Sequence, residues 1–111
     1  MAVVEREAKV VNPLGMHARP AAELVRVASR FKSAVEVRKD DVAVNGKSIL
    51  GVMTLAAECG SSLFIKTDGE DAEEAMAALL ALVADGFHEM HLKHGAEEAA
   101  GEEESAGEGA T

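Results

Sequence analysis

The amino-acid sequence predicts an α+β fold, in which three helices cover one face of a four-stranded sheet. Segments with alternating apolar residues and segments with helical apolar spacing follow one another in the order β-α-β-β-α-β-α. Only a tight turn separates the two middle strands, so they form a hairpin and at least part of the sheet is antiparallel. The apolar stripes of the helices must be buried, which favours an open-faced, two-layer sandwich.

The first half of the chain supplies three strands and one helix. We expect a strand at residues 5–11 and a loop at residues 12–15, where proline and glycine interrupt the pattern. A helix follows, with His17 at the N-cap position and Pro20 in the first turn, where its missing N–H is tolerated. Residues 34–38 and 42–44 form the hairpin, with residues 39–41 as its turn.

The second half supplies one strand and two helices. Ser48 is a good N-cap for a short helix that ends near residue 55. A strand at residues 62–67 follows. Asp71 then precedes a strong helix and has Glu74 three residues on, which is a capping-box pattern. Gly86 is the expected C-terminal stop of that helix.

Length and charge exclude several classes of protein. The chain has 111 residues, with 11 Lys+Arg against 20 Asp+Glu, for a formal net charge of −9. This length favours a single domain, and the acidity argues against a nucleic-acid partner. No apolar run is long enough to cross a membrane, so we expect no membrane insertion. A single cysteine, Cys59, is typical of a reducing, cytoplasmic location.

The negative charge is concentrated at the C-terminus. Residues 88–111 contain seven Glu and one Lys, and their last part consists of Gly, Ala, Glu, Ser and Thr. Such a segment cannot bury enough apolar surface to offset its ordering entropy. We therefore expect a folded domain at residues 1–87 and a disordered acidic tail at residues 88–111.

Three histidines at the start of this tail raise the question of a metal site. His88, His91 and His94 are spaced by three, and two of them could share a zinc or nickel ion if the helix continued. Gly86 is expected to end the helix, however, and no cysteine joins the three. We therefore predict a solvated linker and no metal site, and nothing else in the sequence requires a cofactor.

The first segment with candidate chemistry is LGMHARP, residues 14–20. His17 at a helix N-terminus lies beside the N–H groups of Ala18 and Arg19, where anions bind well. The positive end of the helix dipole there disfavours an additional positive charge on His17, and a neutral imidazole can act as a nucleophile. The Arg19 guanidinium could then neutralise phosphate charge. The alternative is that His17 is only a polar cap and Arg19 a surface charge.

The second segment is NGKSILGVM, residues 45–53. Gly-Lys-Ser before a helix is part of a nucleotide-binding P-loop, but Asp41 occupies the position of its first glycine, which counts against that site. A phosphate on Ser48 would be tolerated at the helix N-terminus and would add nearly two negative charges. Ile49, Leu50 and Met53 form either an exposed apolar patch, typical of a partner site, or part of the core.

Together, the two segments resemble HPr, the histidine-containing phosphocarrier family of the bacterial phosphotransferase system. The resemblance covers about residues 3–87 and implies a strand order of 1-4-2-3. It implies that His17 accepts a phosphoryl group on Nδ1 from enzyme I and passes it to IIA components of sugar permeases. In this reading the chain is a carrier and not an autonomous enzyme. Arg19 is then the charge partner of the phosphate.

The resemblance also implies a regulatory site and a docking surface. Ser48 matches the serine that the ATP-dependent HPr kinase/phosphorylase modifies in many bacteria. The docking surface would consist of Met16, Ala22, Lys47, Ile49, Leu50 and Met53. We further expect Arg19, Lys47 and two helix N-termini to make the surroundings of His17 positive.

The sequence departs from the family pattern in two ways, and two alternative functions stay open. Met16 replaces the more usual Leu or Ile, and residues 88–111 have no counterpart in a typical HPr. A mainly regulatory protein of nitrogen or carbon control is one alternative function, and a nucleotide-binding switch is the other. A small domain with one transient docking face is expected to be a monomer.

Overall fold

The structure, a computed structural model, describes residues 2–87. The order β-α-β-β-α-β-α is confirmed, and the predictions for residues 88–111, including the three histidines, lie outside the described residues. The elements are β1 (Ala2–Lys9), α1 (Ala18–Ala28), β2 (Ala34–Lys39), β3 (Val42–Asn45), α2 (Ile49–Thr54), β4 (Ser62–Gly69) and α3 (Ala72–Ala84). None of the helices in this part of the chain could span a membrane.

The four strands form one antiparallel sheet in the order β1-β4-β2-β3, which confirms the implied order. Strand β1 begins earlier and ends earlier than predicted, because it pairs with β4 from Ala2 opposite Gly69 to Lys9 opposite Ser62. Beyond Lys9 the chain leaves this register, and Val10 instead exchanges backbone hydrogen bonds with Ser61 and Gly60.

The helices bury one face of the sheet and leave the other face exposed to solvent. Along β4, the side chains of Leu63, Ile65 and Thr67 point into the core and are fully buried. The opposite face carries charged rows. Lys66 of β4 lies between Glu5 of β1 and Glu36 of β2, as expected for opposite charges on neighbouring strands. The open-faced sandwich is therefore confirmed.

Asp71 links α3 to the chain that follows α1. It is the N-cap residue of α3, but its side chain makes no capping hydrogen bond, so the predicted capping box with Glu74 is wrong. Its carboxylate instead accepts hydrogen bonds from the backbone N–H of Lys32 (2.9 Å), the backbone N–H of Ser33 (2.9 Å) and the Ser33 hydroxyl (2.6 Å). These donors, more than 35 residues away in sequence, compete with the first turn of the helix for the same oxygens.

The C-terminus of α3 ends in the motif that Gly86 predicted. Gly86 has a φ of 70°, and its N–H donates to the carbonyl oxygen of Val83 at 3.0 Å, while the N–H of Phe87 donates to that of Leu82 at 2.9 Å. This is the Schellman pattern of helix termination. The Phe87 side chain is fully buried, so the end of the described domain is attached to the core.

The contacts at the helix ends show how the helices are oriented. Asp71 at the start of α3 binds Lys32 and Ser33, which follow the end of α1, so α1 and α3 run antiparallel. At the start of α2, Lys47 donates from Nζ to the carbonyl oxygen of Phe31 at 2.8 Å, so α2 also starts near the end of α1. The C-terminal end of α3 therefore lies at the same end of the molecule as His17.

The loop before α1 is held against the chain that follows α2. The N–H of Met16 donates to the carbonyl oxygen of Ala57 at 2.7 Å. Gly15 has a φ of 71°, and a Cβ there would lie 2.5 Å from the Ala57 oxygen and 2.9 Å from Cα of Glu58. Only glycine therefore allows this approach of two backbone segments.

We predict that Gly15→Ala destabilises the protein by about 1–3 kcal/mol more than the control Gly60→Ala, because both place a side chain at positive φ but only the first also forces two backbone segments apart. Gly60 has a φ of 95° and nothing within 4 Å of an added Cβ. Urea unfolding of both variants measures the difference. Equal losses of stability would contradict the contribution of the Ala57 contact.

We predict a pH-dependent loss of stability for Asp71→Asn. Hydrogen bonds from the Ser33 hydroxyl, and then from the backbone, lower the pKa of Asp71 from 3.8 to about 2. Because the pKa falls on folding, the stabilisation from the ionised carboxylate is present above pH 3.8 and is lost as the pH falls through about 2. The melting temperature of the variant should be lower at pH 7 and approach that of the wild type near pH 2. Glu70→Gln, which removes an exposed neighbouring carboxylate, is the control and should show no such convergence.

Candidate functional site

The loop that leads to His17 is fixed by its own hydrogen bonds. Asn12 is buried, and its Nδ2 donates to the carbonyl oxygen of Gly15 at 2.8 Å, while the N–H of Gly15 donates to the carbonyl oxygen of Asn12 at 3.0 Å. Together with the Met16–Ala57 bond, these contacts determine where α1 begins. The sequence pattern did not single out Asn12, although a polar residue before Pro13 in a loop is typical of such a turn.

His17 is the N-cap of α1, as predicted. Its backbone is extended, with φ −132° and ψ −164°, and its side chain makes no capping hydrogen bond. Its carbonyl oxygen accepts the first helical bond, from the N–H of Ala21 at 2.9 Å. The backbone alone therefore starts the helix, so the partly exposed imidazole does not serve as the cap.

The first turn of α1 is suited to an anion. It contains no acidic residue, and the first N–H groups of a helix, here those of Ala18 and Arg19, have no partner within the helix. Pro20 is buried and has no N–H, so the donors of this turn are confined to the residues next to His17. Arg19 is exposed on the same turn. This arrangement can bind an anion with backbone dipoles and one mobile guanidinium.

Ser48 and Lys47 lie at the other end of α1. Because Lys47 reaches the carbonyl oxygen of Phe31, its ammonium group is about one helix length from His17, and 11 residues of helix span about 16 Å. The expectation that Lys47 and the N-terminus of α2 contribute positive charge next to His17 is therefore corrected. Ser48 is the N-cap of α2, as predicted, and its Oγ accepts a hydrogen bond from the N–H of Gly51 at 3.1 Å.

The sequence left open whether the apolar residues of α2 are exposed or belong to the core, and the structure shows that they are exposed. The exposed fractions are 42% for Ile49, 77% for Leu50 and 38% for Met53, and Ala22 of α1 is also exposed. Since α1 and α2 contact each other, these exposed side chains lie on neighbouring helices of the same layer. We name Ala22, Ile49, Leu50 and Met53 the apolar patch.

Two residues near His17 differ from the expected docking surface. Met16 is only 7% exposed, because the bond from its N–H to Ala57 holds this segment against the core, so its inclusion in the surface is corrected. Leu14 is 77% exposed and was not assigned to the surface. The signal for Leu14 is a large apolar residue in a loop with no element to bury it.

The Gly-Lys-Ser segment lacks the surroundings of a P-loop. It follows β3, which is an edge strand paired antiparallel with β2, whereas a P-loop follows a buried parallel strand. The Lys47 ammonium group is also engaged with Phe31. Among residues 2–87, no group of three or more His, Cys, Asp or Glu side chains is arranged to hold a metal ion.

Comparison with known proteins shows to which family the chain belongs. Residues 4–85 match the family model for the PTS HPr component phosphorylation site. The chain is 46% identical over 87 residues to the phosphocarrier protein HPr of Cupriavidus necator, an alignment that covers 78% of this chain and 98% of that protein. It is 44% identical over 81 residues to the HPr-like protein Crh of Halalkalibacterium halodurans, covering 73% of this chain and 96% of the relative.

A solved structure agrees with the sequence comparisons. The crystal structure of a phosphocarrier protein HPr from Bacillus anthracis superposes with a TM-score of 0.71 at 46% sequence identity, and the match covers 75% of this chain and 99% of that one. The fold, the strand order and the sequence therefore agree, and the chain belongs to the HPr family of phosphoryl carriers of the bacterial phosphotransferase system.

Proposed function

We propose that His17 is the phosphoryl acceptor, which takes the group on Nδ1 from phosphorylated enzyme I and passes it to IIA components of sugar permeases. The observation that carries this proposal is the position of His17 as the N-cap residue of an 11-residue helix, within the residues that match the family model for the HPr phosphorylation site. In the transfer, the Nδ1 lone pair forms the bond to phosphorus while the bond from phosphorus to the donor breaks. In the second transfer, a nucleophile of the IIA component forms a bond to phosphorus while the bond from Nδ1 to phosphorus breaks, which regenerates the unmodified His17.

The surroundings of His17 suit a carrier, which must bind the phosphoryl group without trapping it. The N–H groups of Ala18 and Arg19 and the exposed guanidinium of Arg19 can stabilise the added charge. The imidazole is partly exposed, Leu14 is exposed, and Met16 is buried in the core. Both the donor and the acceptor protein can therefore reach the same atom.

Partner proteins would dock on the apolar patch and on Leu14. Exposed apolar side chains on the same layer as a reactive group are typical of reusable, transient interfaces. The apolar patch is small and exposed on the helical layer. Several partners could therefore bind to it one after another. We further propose that the chain acts as a monomer in the cytoplasm.

We predict that His17→Ala abolishes phosphorylation by phosphoenolpyruvate and enzyme I, because it removes the attacking nitrogen. Intact mass spectrometry should show the gain of one acid-labile phosphate in the wild type and none in the variant. The matched control is His91→Ala, which removes another imidazole and should leave the phosphate gain unchanged. An acid-stable phosphate, or its persistence in His17→Ala, would refute the assignment.

We also propose that an HPr kinase phosphorylates Ser48 and that this weakens docking. Ser48 is partly exposed and directly precedes Ile49 and Leu50 of the apolar patch. A phosphate there would place nearly two negative charges beside apolar side chains that must be desolvated on docking. Since Ser48 lies at the far end of α1 from His17, the charge would act on partner binding and not on the phosphoryl group itself.

We predict that Ser48→Asp raises the KM of enzyme I for this protein by about tenfold, which corresponds to about 1.4 kcal/mol of docking free energy, with little change in kcat. Aspartate can still accept the hydrogen bond from Gly51, so folding is preserved. The control Ser48→Ala loses the cap, at a cost of about 1 kcal/mol of stability, but adds no charge and should keep the wild-type KM. A fall in kcat at constant KM would argue against a docking effect.

The similarity to the HPr-like protein Crh favours a second candidate, a mainly regulatory role in carbon or nitrogen control. The two roles separate in the transfer assay. A carrier passes the phosphoryl group from His17 to a IIA component, whereas a purely regulatory protein accepts it without passing it on.

A further inference from the structure

The exposed surface of α1 and of the turn after it carries three arginines. Arg19 and Arg26, seven residues apart, lie on one face of α1, Arg30 lies in the turn that follows the end of the helix at Ala28, and all three are exposed. We name these three residues the arginine stripe. The one carboxylate of α1, Glu23, is bonded to Arg26 at 2.6 Å between Nη2 and Oε1. The stripe therefore has a net positive charge, and it runs past Ala22 of the apolar patch.

The other end of the described sequence has the opposite charge. Residues 68–87 contain six Asp and Glu and no Lys or Arg. The domain, nearly neutral in sum, thus has a basic α1 surface and an acidic α3 segment. A negatively charged peptide would be attracted to the first and repelled by the second.

The chain carries such a peptide itself. Residues 97–108 contain six Glu and no Lys or Arg. The tail begins after Phe87, which is buried at the end of α3, and this end of the molecule is also the His17 end of α1. Its 24 residues could extend about 80 Å at most, against about 16 Å for α1, so the acidic segment can reach the whole stripe.

We propose that the acidic segment, residues 97–108, binds the arginine stripe of its own chain and competes there with partner proteins. The tether raises the local concentration of the carboxylates to about the millimolar range, so contacts that are individually weak are sufficient. Bound in this way, the segment screens Arg19 and covers the approach to the apolar patch. The tail raises the concentration of partner needed for a given occupancy, and the competition weakens as salt concentration rises.

Paramagnetic relaxation in the full-length chain tests this proposal without any phosphotransfer step, so its failure would leave the assignment of His17 unaffected. The native thiol is exposed, so Cys59→Ser is combined with Ser105→Cys, and a nitroxide is attached within the acidic segment. The amide signals of Arg19, Ala22 and Arg26 should broaden at low salt. The broadening should fall at least twofold in about 0.5 M NaCl, where the Debye length is about 4 Å.

Matched variants identify the groups responsible. Replacing the six glutamates of residues 97–108 by glutamine, or combining Arg26→Gln with Arg30→Gln, should remove most of the broadening along α1. Lys66→Gln, which removes a cation from the open face of the sheet, is the control and should leave it unchanged. Broadening confined to residues next to Phe87, or centred on the open face, would overturn the proposal. So would broadening that disappears when labelled protein is diluted with unlabelled protein, because the contact would then be between molecules.

Discussion

The close approach of the Gly15 and Ala57 backbones determines the geometry on which the rest of the site depends. It joins the loop before α1 to the chain after α2, and these two segments are more than 40 residues apart. The absence of a Cβ at position 15 and the hydrogen bond from Met16 bring them together. The first residue of α1 is thereby positioned relative to α2, and so His17 is positioned relative to the apolar patch.

The opposite end of α1 is held by different chemistry. There, the carboxylate of Asp71 binds the backbone that follows the helix, and the ammonium group of Lys47 binds a carbonyl of the same turn. Because contacts at its two ends hold α1 in place, the outer face of the helix can stay exposed. This explains how a small domain combines a well-defined position for His17 with a surface of exposed side chains such as Arg19 and Leu50.

Local signals in the sequence were sufficient for the order of the elements and for most helix ends. His17, Ser48 and Gly86 could be placed at helix termini because the responsible interactions are between residues within a few positions of each other. The partners of Asp71 and Lys47 could not be predicted, since they lie across the fold. The burial of Met16 and the exposure of Leu14 have the same origin, because both follow from the packing of this loop against Ala57.

The capped C-terminal end of α3 determines where sequence can be added to this domain. The backbone bonds of Gly86 and the burial of Phe87 complete the core of the described domain at that point. The match to the HPr family model covers residues 4–85 and ends two residues before Phe87. We therefore expect that sequence can be added after the end of α3, by natural extension or by fusion to another protein, without a change in the sandwich fold.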